Sequence, residues 1–144
     1  MATSIPERLR RQVRERAAGR CEYCLIHEAD MYYPHEPDHI IAAKHGGPTS
    51  LDNLALACFS CNRFKGSDLA SIDPDSRRVV TLFHPRTQRW QRHFRLNGAL
   101  IEASTASGRA TAALLHFNDE ERVAHRLGLI EIGHFPSHLG GAPK

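Results

Sequence analysis

Two Cys-x-x-Cys pairs, Cys21-Glu22-Tyr23-Cys24 and Cys58-Phe59-Ser60-Cys61, constrain this chain more than any other feature. Two thiolates spaced by two residues share a tight turn and reach one ion about 2.3 Å from each sulfur, so two such pairs complete a tetrahedral zinc site. The alternatives are two disulfides or two redox pairs. A redox Cys-x-x-Cys needs no second copy. The chain also has no run of about 18 apolar residues and no signal-like apolar stretch behind a basic start. The expected compartment is therefore the reducing cytoplasm, where disulfides are rare and paired cysteines serve as metal ligands. The pairs lie 33 residues apart, beyond the roughly 15 to 20 of compact two-knuckle folds, so a further structural unit is inserted between them.

With 144 residues, 41% of them apolar and 24% charged, the chain suits one globular domain over 1–144 that folds without a partner. The formal charge of +3 is compatible with a polyanionic partner but does not require one. The expected layout is a cysteine-framed core over 20–68, an extension over 69–135 and a flexible tail over 136–144.

Ser4-Ile5-Pro6-Glu7 has the form of a capping box and predicts a helix over 6–18, stopped by Gly19. Leu9, Val13 and Ala17 recur at i, i+4 and i+8 as its apolar stripe. Arg8, Arg10, Arg11, Arg14 and Arg16 cover the other faces, either solvated with a Glu7–Arg11 pair or set against phosphates. Met31-Tyr32-Tyr33 and 37–42 are rich in aromatic and β-branched residues, which suggests two short strands or one interrupted by proline, with Asp38 and His39 on the second. A glycine-rich turn at 44–48 precedes 50–56, which carries Asn53. A short helix from Ser60 then bears Asn62, Arg63 and Lys65 and ends by Gly66.

Farther on, 78–83 reads as a strand, as does the alternating segment 89–96. Asn97-Gly98 predicts a type I′ hairpin in which Leu96 faces Ala99 and Phe94 faces Ile101. Residues 111–117 fit helix or strand. Asn118 with Glu121 forms a cap for a last helix whose stripe is Val123, Leu127 and Ile130. Trp90 and Phe94 read as core residues, the alternative being a stacking surface for unpaired bases.

Five pieces in order, Cys21-x-x-Cys24, Asp38-His39-Ile40-Ile41, Gly46-Gly47, Leu51-Asp52-Asn53-Leu54 and Cys58-x-x-Cys61-Asn62-x-x-Lys65-Gly66, resemble the HNH endonuclease family over about residues 20–66. Leu82-Phe83-His84-Pro85-Arg86-Thr87-Gln88-Arg89-Trp90 is similar to an extension found in some bacterial members. The resemblance implies an α+β fold, in which a ββα-metal (HNH) unit stapled by a four-cysteine structural zinc carries an N-terminal helix and a C-terminal β-hairpin plus helix. It also implies hydrolysis of DNA phosphodiester bonds with one Mg²⁺ or Mn²⁺, leaving a 5′-phosphate and a 3′-hydroxyl. By the same resemblance His39 is the general base, Asp38 and Asn62 are the ligands of the catalytic metal, and Asn53 holds the hairpin loop and orients the base. Where the simplest pattern ends in histidine this chain has Asn62. An amide oxygen suits Mg²⁺, whereas histidine would broaden the site towards transition metals.

The chemistry is consistent with these residue types. A neutral imidazole accepts a proton at cellular pH, and a hard cation that keeps several waters needs few protein oxygens once a phosphate completes its shell. Four thiolates leave zinc no open position, so Cys21, Cys24, Cys58 and Cys61 make a structural site. Lys44, His45, Arg63 and Lys65 are candidate phosphate contacts by charge and location, or else solvated. His35 reads as a plain strand or loop histidine. Adjacent strand residues point to opposite faces, so a strand end or bulge must bring Asp38 and His39 to one site. The rival reading is a zinc-stapled nucleic-acid-binding module without nuclease activity. A zinc module for protein contacts explains neither Asp38-His39 nor Asn62. No membrane partner is expected, and the oligomeric state is open.

Overall fold

Val13 and Ala17 are buried and Leu9 is half-buried along helix α1 (Glu7–Ala17), the stripe that its spacing predicts. The computed structural model that shows this describes residues 4–136, so the tail expected over 136–144 lies outside the described residues except for Pro136. The predicted capping box is not formed: the N-cap is Pro6, with no side-chain cap bond, while the preceding Ile5 is buried in the core. Proline's fixed φ suits a helix start without a hydroxyl cap. At the other end Ala18 and Gly19 take left-handed φ of 53° and 73°, and their N–H groups return to the Glu15 and Arg14 carbonyls at 3.0 and 3.1 Å. Those bonds satisfy carbonyls that the helix end leaves open.

The arginines of α1 tie the helix to its surroundings. Arg10 pairs with Glu36 at 2.8 Å, Arg14 with Glu28 at 3.0 Å, and Arg14 also donates to the His35 carbonyl at 2.9 Å. Arg16 donates to the Leu51 and Leu54 carbonyls at 2.9 and 2.6 Å.

Strands β1 (Glu36–His39) and β2 (Leu54–Ala57) pair antiparallel, from Glu36 opposite Ala57 to His39 opposite Leu54. Because strand side chains alternate, the fully buried β2 divides two cores. Leu54 and Leu56 join Ile5, Val13 and Ala17 under α1, while Ala55 and Ala57 join the cluster that holds the four cysteines, Phe83, Phe94 and Phe117. Helix α2 (Phe59–Lys65) follows β2 directly, with Cys58 as its N-cap and Gly66 (φ 52°) beyond its end. The strand expected at Met31-Tyr32-Tyr33 is absent. A single 3-10 turn at Glu28–Asp30 and a series of bends occupy that stretch instead. Glu28, already held by Arg14, accepts the His35 N–H at 3.3 Å and so turns the chain before β1 begins.

Beyond α2, β3 (Ala70–Ile72) pairs with β4 (Val79–Thr81). Buried Asp73 holds the turn between them: it accepts the Asp75 and Ser76 N–H groups at 3.1 and 3.2 Å and two bonds from Arg109 at 2.8 and 2.9 Å. The strand expected over 89–96 is half helix, since α3 (Trp90–His93) precedes β5 (Phe94–Asn97). Trp90 and Phe94 are core residues.

The hairpin of β5 with β6 (Leu100–Ala103) exists, but its register differs from the expected one: Leu96 faces Ile101 and Phe94 faces Ala103. Gly98 alone takes the positive φ (58°), while Asn97 stays in the strand and donates to Glu102 at 3.0 Å, so Gly98-Ala99 form the turn. Glycine at the first turn position is the type II′ arrangement.

Residues 111–117 resolve as the end of helix α4 (Ala106–Leu114) and the turn after it. The last helix, α5 (Glu120–Glu131), starts from Asp119 rather than from an Asn118 cap. Asn118 instead exchanges two hydrogen bonds with the Ile101 main chain, at 3.0 and 2.8 Å. The buried face of α5 carries Arg126 and Leu129, whereas Leu127 is half exposed. Arg126 donates to the Ala99 and Phe117 carbonyls, both at 2.7 Å, and so supports the hairpin turn from below. Among the described residues no helix is long and apolar enough to cross a membrane.

Candidate metal centre and active site

The four cysteine sulfurs lie within 4.8 Å of one another and all four residues are buried. Cys24 and Cys58, one from each pair, bring their Sγ atoms to 3.7 Å, close to the roughly 3.8 Å edge of a tetrahedron with 2.3 Å zinc–sulfur bonds. Each pair forms the same knuckle: the Cys24 N–H donates to Cys21 Sγ at 3.5 Å and the Cys61 N–H to Cys58 Sγ at 3.4 Å. Burial pushes the Cys21 and Cys61 thiols up, while hydrogen bonds from its three neighbours hold the Cys24 thiol down. Four sulfurs this close and this dry ionise together only around a cation. The donor set, its spacing and its burial therefore fit a closed four-thiolate zinc site.

Arg122 of α5 reaches this cluster, its Nη2 3.2 Å from Cys61 Sγ and 3.9 Å from Cys58 Sγ. Its Nη1 donates to the Leu115 and His116 carbonyls. Burial works against the guanidinium charge, but the sulfurs outweigh it and hold Arg122 above its ordinary range. The extension also grips the first knuckle. Trp90 Nε1 donates to the Tyr23 carbonyl at 2.8 Å, and Arg86 pairs with Glu22, which accepts the Leu56 N–H at 2.8 Å.

Between the knuckles, Asp38 and His39 leave β1 towards different partners, as strand alternation requires. Asp38 faces α2, where Lys65 Nζ lies 3.4 Å from Oδ2. That contact is an ion pair without hydrogen-bond alignment, so Oδ2 is buried with no hydrogen-bond partner. Burial pushes the Asp38 carboxyl up, and Lys65 offsets this only in part. Its Oδ2 therefore has the Lys65 ammonium as counter-charge but no hydrogen bond. His39 is the last residue of β1, and its Nε2 lies 2.9 Å from Thr49 Oγ1.

Asn53 is buried in the connection that follows. Its Oδ1 accepts the Ile41 N–H, and its Nδ2 donates to the Ile41 and Pro48 carbonyls, all at 2.9 Å. Gly47 completes that packing, because a Cβ there would sit 1.7 Å from the Ile41 oxygen and 2.8 Å from Asn53 Nδ2. Asn53 thus spends its amide on fixing the loop behind His39.

The HNH endonuclease family model matches residues 21–68. That match, the HNH segment, takes in 48 of the 144 residues. No curated protein and no solved structure matches the chain. The HNH segment begins at the first zinc-type cysteine and ends just past α2, so α1 and everything from β3 onward lie outside it.

Within the HNH segment Asn62 is half-buried on α2, the helix that packs on β1. At about 100° per residue, Asn62 lies about 60° around the axis from Lys65, the neighbour of Asp38, and about 60° from Phe59 on its other side. Lys44, His45 and Arg63 are exposed, with His45 Nε2 3.1 Å from the Ser67 carbonyl. Lys65 departs from its expected place among the phosphate contacts. It is buried, and its ammonium bonds the His39 and Ile40 carbonyls at 3.3 and 3.0 Å, because its long stem threads beneath β1 to meet Asp38. His35 is buried too, with Nε2 2.9 Å from the Ile26 carbonyl, and belongs to the core.

Thr49 and Arg122 were not expected at the site. Neither carries a signal in the sequence, since Thr49 is one polar residue in a turn and Arg122 lies 61 positions from Cys61. A cleft of about 810 Å³ between the β5–β6 hairpin and α4 stands apart from the HNH segment, and its charges Arg95, Glu102 and Arg109 are already paired.

Proposed function

We propose that the chain is a metal-dependent endonuclease, a ββα-metal unit formed by β1, β2 and α2 that hydrolyses DNA phosphodiester bonds. The observation that carries this reading is the buried, unbonded Oδ2 of Asp38 beside the end of β1, one residue from His39 and against the helix that bears Asn62. In this reading the Asp38 carboxylate and the Asn62 amide oxygen would hold one Mg²⁺ or Mn²⁺. When bound there, the cation neutralises charge on the scissile phosphate and on the departing oxygen.

The chain's own groups do the rest. With His39 Nε2 engaged by Thr49 Oγ1, Nδ1 is the ring nitrogen left to take the proton from the attacking water. The water oxygen bonds to phosphorus, the P–O3′ bond breaks and the departing O3′ takes a proton from solvent water, which leaves a 5′-phosphate and a 3′-hydroxyl. Asn53 acts as a positioning residue, keeping the loop closed behind the imidazole. Lys65 keeps Asp38 in place and ionised from beneath. Zinc on Cys21, Cys24, Cys58 and Cys61 is structural, because four thiolates leave it no open position. Exposed Lys44, His45 and Arg63 contact the phosphate backbone. Free thiols of this kind suit the reducing cytoplasm.

The test is incubation of supercoiled plasmid with zinc-loaded protein and either Mg²⁺ or Mn²⁺, for wild type, Asp38→Asn and Asn62→Ala. Cleavage by wild type alone supports the reading. Salt-dependent DNA binding with no cleavage under either metal favours the zinc-stapled binding module instead.

A further inference from the structure

Three aromatic rings stand in solvent beside the HNH helix. Tyr32 is 90% exposed, Tyr33 54% and Phe59 50%. They touch in series: the Tyr32 and Tyr33 centroids lie 4.8 Å apart with their planes at 86°, and Tyr33 and Phe59 lie 5.3 Å apart at 31°. Water-facing rings gain little from folding, and single exposed apolar residues are common, but three in mutual contact form a patch. Core packing does not account for them, because Met31 alone of this stretch packs against the core. The Tyr33 and Phe59 rings, tilted 31° to one another, offer exposed aromatic faces of the sort on which bases stack.

The surroundings select the occupant. Phe59 opens α2, and exposed Arg63 lies one turn on, at i+4, on the same face. A cleft of about 300 Å³ beside Phe59 is edged by Arg63 and His125 and, on its α5 side, by Asp119 and Glu121. A cation one helical turn from a flat aromatic surface matches a base with its phosphate. Asn62 sits between Phe59 and Lys65 around α2, which sets the rings within one turn, about 4.5 Å along the axis, of the proposed metal ligand.

We infer that Tyr32, Tyr33 and Phe59 form a stacking platform for an unpaired base of single-stranded DNA next to the bond that is cut. The preferred substrate is then a single strand, or the single-stranded part of a nicked or branched DNA. This rests on the endonuclease reading for what happens to the strand, but the platform is tested by binding alone.

The experiment measures fluorescence anisotropy of a labelled single-stranded oligonucleotide, and of the same sequence as a duplex, with zinc-loaded full-length protein and no added divalent metal. Tyr33→Ala and Phe59→Ala each weaken single-strand binding by about tenfold and change duplex binding by less than about twofold. Tyr33→Trp restores single-strand binding and Tyr33→Leu does not, which separates stacking from apolar contact. Both substituted positions are exposed, and unchanged melting temperatures exclude misfolding as the cause. Equal losses on single strand and duplex, no loss on either, or rescue by leucine would overturn the platform. So would Tyr33→Ala converting a dimer to a monomer in sedimentation, which would assign the patch to a second copy. Loss of the platform effect leaves plasmid cleavage to stand or fall separately, and absence of cleavage leaves the stacking result intact.

Discussion

Lys65 Nζ lies 3.4 Å from Asp38 Oδ2 beneath β1, and the two side chains are only 3% and 12% exposed. A lysine in the last turn of a short helix, three residues after a motif asparagine, looks in sequence like a surface cation for phosphate. Here it is a buried counter-charge that also bonds two carbonyls at the end of β1.

Lys65→Met leaves Asp38 as an unpaired buried carboxylate, which costs about 3 kcal/mol. The urea midpoint of the zinc-loaded protein falls accordingly. DNA affinity of the folded variant stays within about twofold, whereas Arg63→Ala, which removes an exposed cation, lowers affinity and reduces the salt slope by about 1.

The bond between His39 Nε2 and Thr49 Oγ1 holds the imidazole in one orientation. Thr49→Val removes the hydroxyl at nearly constant volume, so the ring loses the contact that orients it. Single-turnover cleavage slows by about tenfold, the scale of losing a group that orients a functional histidine. Oligonucleotide affinity is unchanged.

Arg122 ties the extension to the zinc-type cluster through Cys61 and Cys58. Arg122→Gln removes the positive charge from a centre whose four thiolates carry net negative charge around zinc, and zinc passes to a chromophoric chelator about tenfold faster. In the cobalt-substituted protein the sulfur-to-metal absorption bands move, while Leu129→Ala, a packing change on the same helix, leaves them in place. Full removal of the metal abolishes cooperative unfolding.

Asp73, held by Arg109 and by two N–H groups of its own turn, has its carboxyl well below the usual carboxylate range, chiefly through the Arg109 hydrogen bonds. A depressed folded value contributes stability that is complete above the unfolded value of about 3.9 and is lost as pH falls through the folded one. Asp73→Asn therefore melts at a lower temperature than wild type at pH 7. The gap narrows as the pH drops below about 4.

Much of the site could be read from the sequence because it depends on short-range rules. The Cys-x-x-Cys spacing fixes two knuckles, the i, i+4, i+8 stripe fixes α1, and Asp38-His39 falls on a strand, at whose end His39 meets Thr49. What escaped depends on long-range placement. The hairpin slipped by two partners because Gly98, and not Asn97, takes the positive φ. Asn118 left its expected cap to hold Ile101. Arg126 displaced Leu127 from the inner face of α5 because carbonyls of the hairpin turn and the 117 loop await its donors. No local pattern shows that Met31-Tyr32-Tyr33 bends outward, since strand-forming composition says nothing of the Arg14–Glu28 bond that turns the chain.

The central claim is that His39 is the base of a nuclease site, and single-turnover cleavage of supercoiled plasmid by His39→Ala tests it most directly. The variant should keep its zinc, its melting temperature and its DNA affinity while cleavage with Mg²⁺ or Mn²⁺ falls by at least about a hundredfold. Equal nicking by wild type and His39→Ala would contradict the account.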